Sequence, residues 1–187
     1  MLLPVVEQSR QVTMSARLHT EAILDEALAR ALFNDQRIAA WFFARTLFAG
    51  EVASCVFCRC DNPWSSVRLE VRNALTGEVE TLVRQCETDV LAVFATRDGR
   101  RLALHIENKL ADGSFTRHQP ELYRARKSQW KSRDKLGAYT DATTVLIAPK
   151  VFYERLRDCA TLFDSYISHE EISEYVPEFG APPAMSA

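Results

Sequence analysis

The run DVLAVFATRDGRRLALHIENK, residues 89–109, limits the possible fold more than any other part of the chain. Two apolar stretches flank Asp98-Gly99, a pair suited to the positive φ angles of a tight turn. They are therefore predicted to be antiparallel neighbours, with the start of the first beside the end of the second. The first is almost continuously apolar, as on a strand covered on both faces. Along the second, Leu102, Leu104 and Ile106 share one face, while His105, Glu107 and Lys109 share the other. Asp89, Glu107 and Lys109 converge in this arrangement with no further folding assumption.

The remaining pattern supplies helices on either side. Ile23, Ala27, Leu28, Ala31 and Leu32 recur at three- and four-residue spacing, predicting a helix that Thr20 would cap. Asp35 would cap a second, carried by Ile38, Trp41, Phe42 and Leu47 as far as Gly50. Residues 51–64 read as irregular. Val67, Leu69 and Val71 then alternate with polar residues, predicting a strand, with a turn at TGEV and a short strand at TLVRQ. Pro120 suits the first turn of a helix running to about Lys135. TTVLIAP reads as a buried strand, 151–163 as helix, SYIS as a short strand and HEEISEYV as a last helix. The fold class is α/β or α+β. Residues 1–176 form one expected domain, with N-terminal helices at about 20–50, weak organisation over 1–15, and a disordered tail over 177–187.

Composition excludes several classes. A net charge of −2 does not advertise a polyanion partner, so any nucleic-acid surface must be a local patch. The first apolar run, LLPVV, is too short for a signal peptide, and no stretch approaches a membrane span. A cytoplasmic protein without a membrane partner is expected. A homo-oligomer is compatible with the sequence. The five cysteines, Cys55, Cys58, Cys60, Cys86 and Cys159, are an odd number, which argues for reduced thiols. CVFCRC has no second CxxC pair or HxxxH after it, so it is read as structural rather than as a zinc or iron–sulfur site.

Two carboxylates and an ammonium suit phosphodiester cleavage. Carboxylate oxygens bind Mg²⁺, which keeps several waters and can also take a phosphate oxygen. The metal acidifies water and offsets developing charge, and a lysine can stabilise the transition state. An ExK triplet alone means little, because at roughly 6% usage of each residue a chain this long holds about one by chance. An exposed ion pair at a strand end is the competing interpretation. The next segment favours chemistry. Gln119 and Tyr123 lie four apart on one helix face. From Arg117 to Lys135 the chain carries Arg124, Arg126, Lys127, Lys131 and Arg133 as well, giving net +5 against Glu121 and Asp134, with Trp130 among them.

A helix, a strand meander, Asp89, Glu107-Asn108-Lys109, then a helix with Gln119 and Tyr123 and a further strand together resemble the PD-(D/E)xK nuclease superfamily. The resemblance is greatest to members with a QxxxY helix motif, such as lambda-exonuclease-type and related bacterial nucleases, and covers roughly residues 20–176. It implies a restriction-endonuclease-like core, a central mixed sheet flanked by helices. It also implies Mg²⁺ or Mn²⁺ held by Asp89, Glu107 and the Asn108 carbonyl, with Lys109 catalytic. Gln119 and Tyr123 would support the site or touch substrate, and Arg124, Lys127 and Lys131 would face the nucleic acid, with DNA the expected substrate. Thr88 stands where a proline is usual, and Asn108 where an apolar residue is. Among Glu21, Asp25 and Glu26, Glu26 is favoured as a further acid from the first helix. Glu87 would join by strand parity, and His105 would pack or line the site. The alternative function is a nuclease-fold protein that binds nucleic acid or a protein partner without cutting.

Overall fold

The computed structural model describes residues 21–180 apart from 74, 132, 157 and 159–161. Thr20 as a cap, residues 1–15, Cys159 and positions 181–187 lie outside the described residues. Two helices come first, α1 over 21–34 and α2 over Gln36–Phe43. Asp35 separates them and accepts hydrogen bonds from the Arg37 and Ile38 amides, as an N-cap should. The strands and later helices follow as β1 Ala53–Arg59, β2 Trp64–Arg72, β3 Val79–Glu87, β4 Val90–Thr96, β5 Arg101–Asn108, α3 Gln119–Gln129, β6 Asp141–Ala148, α4 Lys150–Arg155, β7 Ser165–Ser168 and α5 His169–Ile172.

Five strands form a central mixed sheet in the order β1-β4-β5-β6-β7. The β1–β4 and β4–β5 pairs are antiparallel, while β5–β6 and β6–β7 are parallel. The fold is α+β, with helices on both faces of this sheet, consistent with a restriction-endonuclease-like core. On one face Leu24, Leu28 and Leu32 of α1 and Phe42 and Phe43 of α2 pack on Phe94, Leu102, Leu104 and Ile106. On the other, Leu122 and Trp130 pack on Leu91, Val93 and Ala103. Strands β4, β5 and β6 are thus covered on both sides, which explains why β4 is almost continuously apolar and why nearly every residue of β5 and β6 is buried. The Asp98-Gly99 turn joins β4 to β5, with Gly99 at φ 84°.

Strands β2 and β3 make a separate two-stranded ribbon, inserted between β1 and β4. Its outer edge is closed by a side chain. The Gln129 amide accepts from the Arg68 N–H at 2.9 Å and donates to the Arg68 carbonyl at 2.8 Å, as a neighbouring strand would.

The structure corrects several sequence expectations. Residues 53–59, expected to be irregular, form edge strand β1. A bulge between Cys55 and Phe57 breaks the period-two pattern and so hides the strand. Cys55, Cys58 and Cys60 pack against the main core. Helix α2 stops at Phe43 rather than near Gly50, because the Thr46 hydroxyl takes the Phe43 carbonyl at 2.8 Å and accepts from the Phe48 amide. Leu47 is consequently exposed. Helix α3 ends at Gln129, six residues early. The chain there must turn so that Gly137, at φ 82°, fits against Phe57 and Val93, where a Cβ would meet atoms at 2.9 and 3.0 Å. Helix α4 covers only part of 151–163, and α5 only the start of HEEISEYV. Part of the expected tail is ordered, since Pro177–Gly180 form a 3-10 turn with Phe179 buried in the main core. No helix among the described residues is long and apolar enough to cross a membrane.

Gln129→Ala should raise hydrogen exchange at the Arg68 amide while lowering global stability by about 1 kcal/mol or less, because the lost bonds are exposed. Exchange measured residue by residue checks this; unchanged protection at Arg68 would show that the ribbon edge does not depend on the amide.

Candidate active site

The β4–β5 pairing places Val90 opposite Ile106, so Asp89 stands beside the Glu107-Asn108-Lys109 end of β5. The Asp89 carboxylate accepts the Asn108 amide at 2.7 Å. Glu107 is 1% exposed. Its Oε1 receives both the Lys109 ammonium and the Gln119 amide, the latter at 2.6 Å. Its Oε2 is buried and makes no hydrogen bond among the described residues, while the Tyr123 hydroxyl approaches the carboxylate. Asp89, Glu107, Lys109 and Gln119 therefore come together as the sequence suggests.

Tyr123 is buried one turn beyond Gln119, and its hydroxyl points to the Ile106 carbonyl at 3.4 Å. Burial and the nearby Glu107 charge push its phenol well above the usual range. Thr88 supports the same carbonyl by donating from its hydroxyl at 3.1 Å. This hydrogen bond fixes the chain just before Asp89.

The acid from the first helix is Asp25, whereas Glu26 is exposed. Asp25 accepts from the Asn108 side-chain amide at 2.8 Å, and the Asn108 carbonyl oxygen meets His169 Nε2 at 2.8 Å. Burial lowers the His169 pKa to about 4, so the ring is neutral at pH 7 and donates from Nε2 to the Asn108 oxygen. Asn108 thus ties α1, β5 and α5 together from within the core. Sequence reasoning missed this use of His169. Asp25 had a signal, since it shares a helix face with Leu28 and Leu32 and an acid on an apolar face is unusual.

Electrostatics set this group apart. Burial, then Glu21 and Glu107, raise the Asp25 pKa to about 7 against the pull of Asn108 and Lys109. Burial, then Glu107 and Asp25, push Asp89 well above the carboxylate range. Burial opposes the Lys109 ammonium, but Glu107 and Asp89 outweigh it and hold its pKa above the ordinary lysine value. When Asp25, Asp89 and Glu107 are all ionised, one ammonium faces three carboxylates.

Other expected participants lie elsewhere. Glu87 closes β3, pairs with Trp64 and is exposed; β3 and β4 belong to different sheets, so strand parity does not carry from Glu87 to Asp89. His105 is packed, with Nε2 at 2.8 Å from the Tyr139 hydroxyl and its ring against Trp130. Burial, reinforced by Arg126 and Lys127, pushes its pKa well down. Of the basic segment, Arg126 and Trp130 are fully buried, so neither faces solvent. Lys127 pairs with Asp164 at 2.8 Å, Lys131 with Asp141 at 3.6 Å, and Arg124 donates to the Leu162 carbonyl at 3.1 Å. The net +5 does not all lie on one face, since Arg126 is buried and Lys127 and Lys131 are half-buried in ion pairs; Arg117, Arg124, Arg133 and Lys135 are exposed.

Among the described residues, no three His, Cys, Asp or Glu side chains form a ready metal cage. Mg²⁺ does not require one, because one or two carboxylates and several waters suffice. The Glu107 Oε2, which makes no hydrogen bond among the described residues, and the excess of carboxylates fit a divalent cation. No protein-family model matches the chain, and neither a curated protein nor a solved structure does so.

Asp25→Asn keeps an oxygen for the Asn108 amide but removes a buried charge. A raised native pKa makes ionised Asp25 destabilising, so its stability contribution is full below the unfolded value near 3.8 and falls as pH rises through about 7. With chelator present, Asp25→Asn should therefore stabilise the protein more at pH 8 than at pH 5. Thermal unfolding at the two pH values checks this, and an equal effect at both would show that Asp25 is not strained by its charge.

Proposed function

We propose that this protein is a metal-dependent nuclease of PD-(D/E)xK type, hydrolysing phosphodiester bonds in nucleic acid, with DNA the expected substrate. The observation that carries the reading is the cluster of buried Asp25 and Glu107 with half-buried Asp89 near one lysine, with Glu107 Oε2 making no hydrogen bond among the described residues. Like charges held together in a low-dielectric site are costly unless a cation joins them. A purely structural ion pair would need Glu107 and Lys109 alone. The sheet topology is compatible with the same superfamily, although fold does not fix activity.

In this reading Asp89, Glu107 and the Asn108 main-chain carbonyl would hold Mg²⁺ or Mn²⁺. The ion would supply charge to the phosphate oxygens and acidify a water. Lys109 stabilises negative charge developing on the attacked phosphate, and its pairing with Glu107 keeps the ammonium at the strand end. Gln119 fixes the Glu107 rotamer through Oε1, leaving Oε2 for the ion. Tyr123 and Thr88 hold the Ile106 carbonyl, and so the backbone immediately before Glu107. Asp25 acts through Asn108, setting the orientation of that residue's side chain.

Glu107→Ala should abolish cleavage of labelled DNA and weaken Mg²⁺ binding measured by calorimetry. Lys109→Ala should reduce cleavage by about a hundredfold or more while the metal still binds, since an ammonium is not a ligand. Tyr123→Phe should slow cleavage and leave its metal dependence intact. Cleavage by Lys109→Ala at the wild-type rate would remove the lysine from the mechanism. Binding of nucleic acid without cleavage under either Mg²⁺ or Mn²⁺ would select the non-cleaving alternative.

A further inference from the structure

We propose that the groove between the Trp64–Glu87 end of the β2–β3 ribbon and the start of α3 binds one unpaired base of a DNA strand, stacked on Trp64. The inference rests on the nuclease reading and names the form of substrate it favours, a single strand or a frayed end. The groove has a volume of about 500 Å³, within the roughly 300–1,000 Å³ of small-molecule sites. Trp64 and Gln85–Glu87 of the ribbon line one side; Thr116, Gln119, Leu122 and Tyr123 line the other.

Three observations favour a base here. Trp64 is 68% exposed, an unusual cost for the largest aromatic side chain unless something covers it. Trp41 and Trp130 differ: Trp41 sits against Tyr175 and Arg45, and Trp130 is fully buried. Second, the groove leads to the candidate catalytic carboxylate through a shared residue. Gln119 lines it and also donates to Glu107 at 2.6 Å. A strand with one base on Trp64 would carry its backbone towards Glu107 and Lys109.

Third, the polar groups around the groove suit a base better than a phosphate at the Trp64 end. Glu87 stands directly across the ladder from Trp64, and its carboxylate disfavours a phosphate there. Arg126 is wholly buried against the lining, with its guanidinium 3.2 Å from the centre of the Tyr123 ring and bonded to the Glu87 carbonyl. Among the described residues its Nε and Nη2 groups have no oxygen acceptor, and the Cys86 thiol lies beside it. Exposed Arg68 on the Trp64 face of the ribbon and exposed Arg117 beside Thr116 supply positive charge for the flanking phosphates. Stacking needs an unpaired base, because in an intact duplex both faces of each internal base are already covered.

The test is binding measured with chelator present, so that its outcome does not depend on cleavage. The full chain is titrated with labelled oligothymidylate and, separately, with a blunt duplex of the same length. Oligothymidylate should bind and quench the wild-type tryptophan emission. Trp64→Ala should weaken that binding about tenfold, with duplex binding little changed, and Trp64→Phe should restore most of it. The substitutions alter an exposed side chain, and unchanged thermal unfolding confirms the fold. Equal affinity of Trp64→Ala and wild type for oligothymidylate, or an equal loss on single strand and duplex, would overturn the base subsite. So would the absence of any oligothymidylate binding by wild type. Cleavage assays on the same preparation decide the nuclease reading separately: a wild type that binds through Trp64 but never cuts keeps the subsite and loses the enzyme.

Discussion

The hydrogen bond from the Asn108 amide to the Asp89 carboxylate fixes how two strands meet, and much of the molecule depends on it. It closes the β4–β5 ladder with a side chain just past the last backbone pair. The next amide, of Lys109, turns the other way and binds the Ile147 carbonyl of β6. The end of β5 is therefore held from both sides at successive residues. Glu107 and Lys109 consequently project from a backbone with little freedom, which suits groups that must hold position to within fractions of an ångström. The Asn108 side chain extends the same constraint inward, to Asp25 on α1 and His169 on α5.

Such a site is a liability for the folded state. Two carboxyl groups with raised pKa values sit beside Glu107, and Arg126 is buried with donors that have no oxygen acceptor among the described residues. Each costs free energy that the core must offset. The core is arranged accordingly. Strands β4 to β6 are buried on both faces, and Phe94 stacks on Phe43 with ring centres 4.5 Å apart on the helix-covered face of the same sheet. The cost of clustered carboxylates is thus concentrated at the carboxyl end of β5, within an apolar core.

Much of this was legible in sequence wherever the signal was local. Asp98-Gly99 announced the hairpin, and the alternation from Leu102 to Lys109 announced which side chains share a face. Gln119 and Tyr123 followed from helical spacing, and Asp35 from capping chemistry. What stayed hidden depended on distant partners. Asn108 is a visible oddity, a polar residue on the core face of β5, but its partners lie 83 residues earlier and 61 later. Strand β1 was hidden because one bulge residue shifts its alternation. The basic segment misled for another reason: composition counts charges but does not say where they point, and Arg126 points inward.

Strand β1 pairs with β4, although β2 and β3 intervene in the chain. The central sheet is thereby complete on either side of an excursion that returns almost to its point of departure, from Pro63 back to Thr88, whose amide binds the Pro63 carbonyl at 3.2 Å. With that neck closed, the tip around Gly77 lies outside the sheet register. Closure entropy grows only logarithmically with the length of an excursion, about 0.6 kcal/mol for each doubling. The ribbon tip is therefore free to lengthen or shorten over evolution, while Trp64 at the neck and the carboxylates keep their spacing.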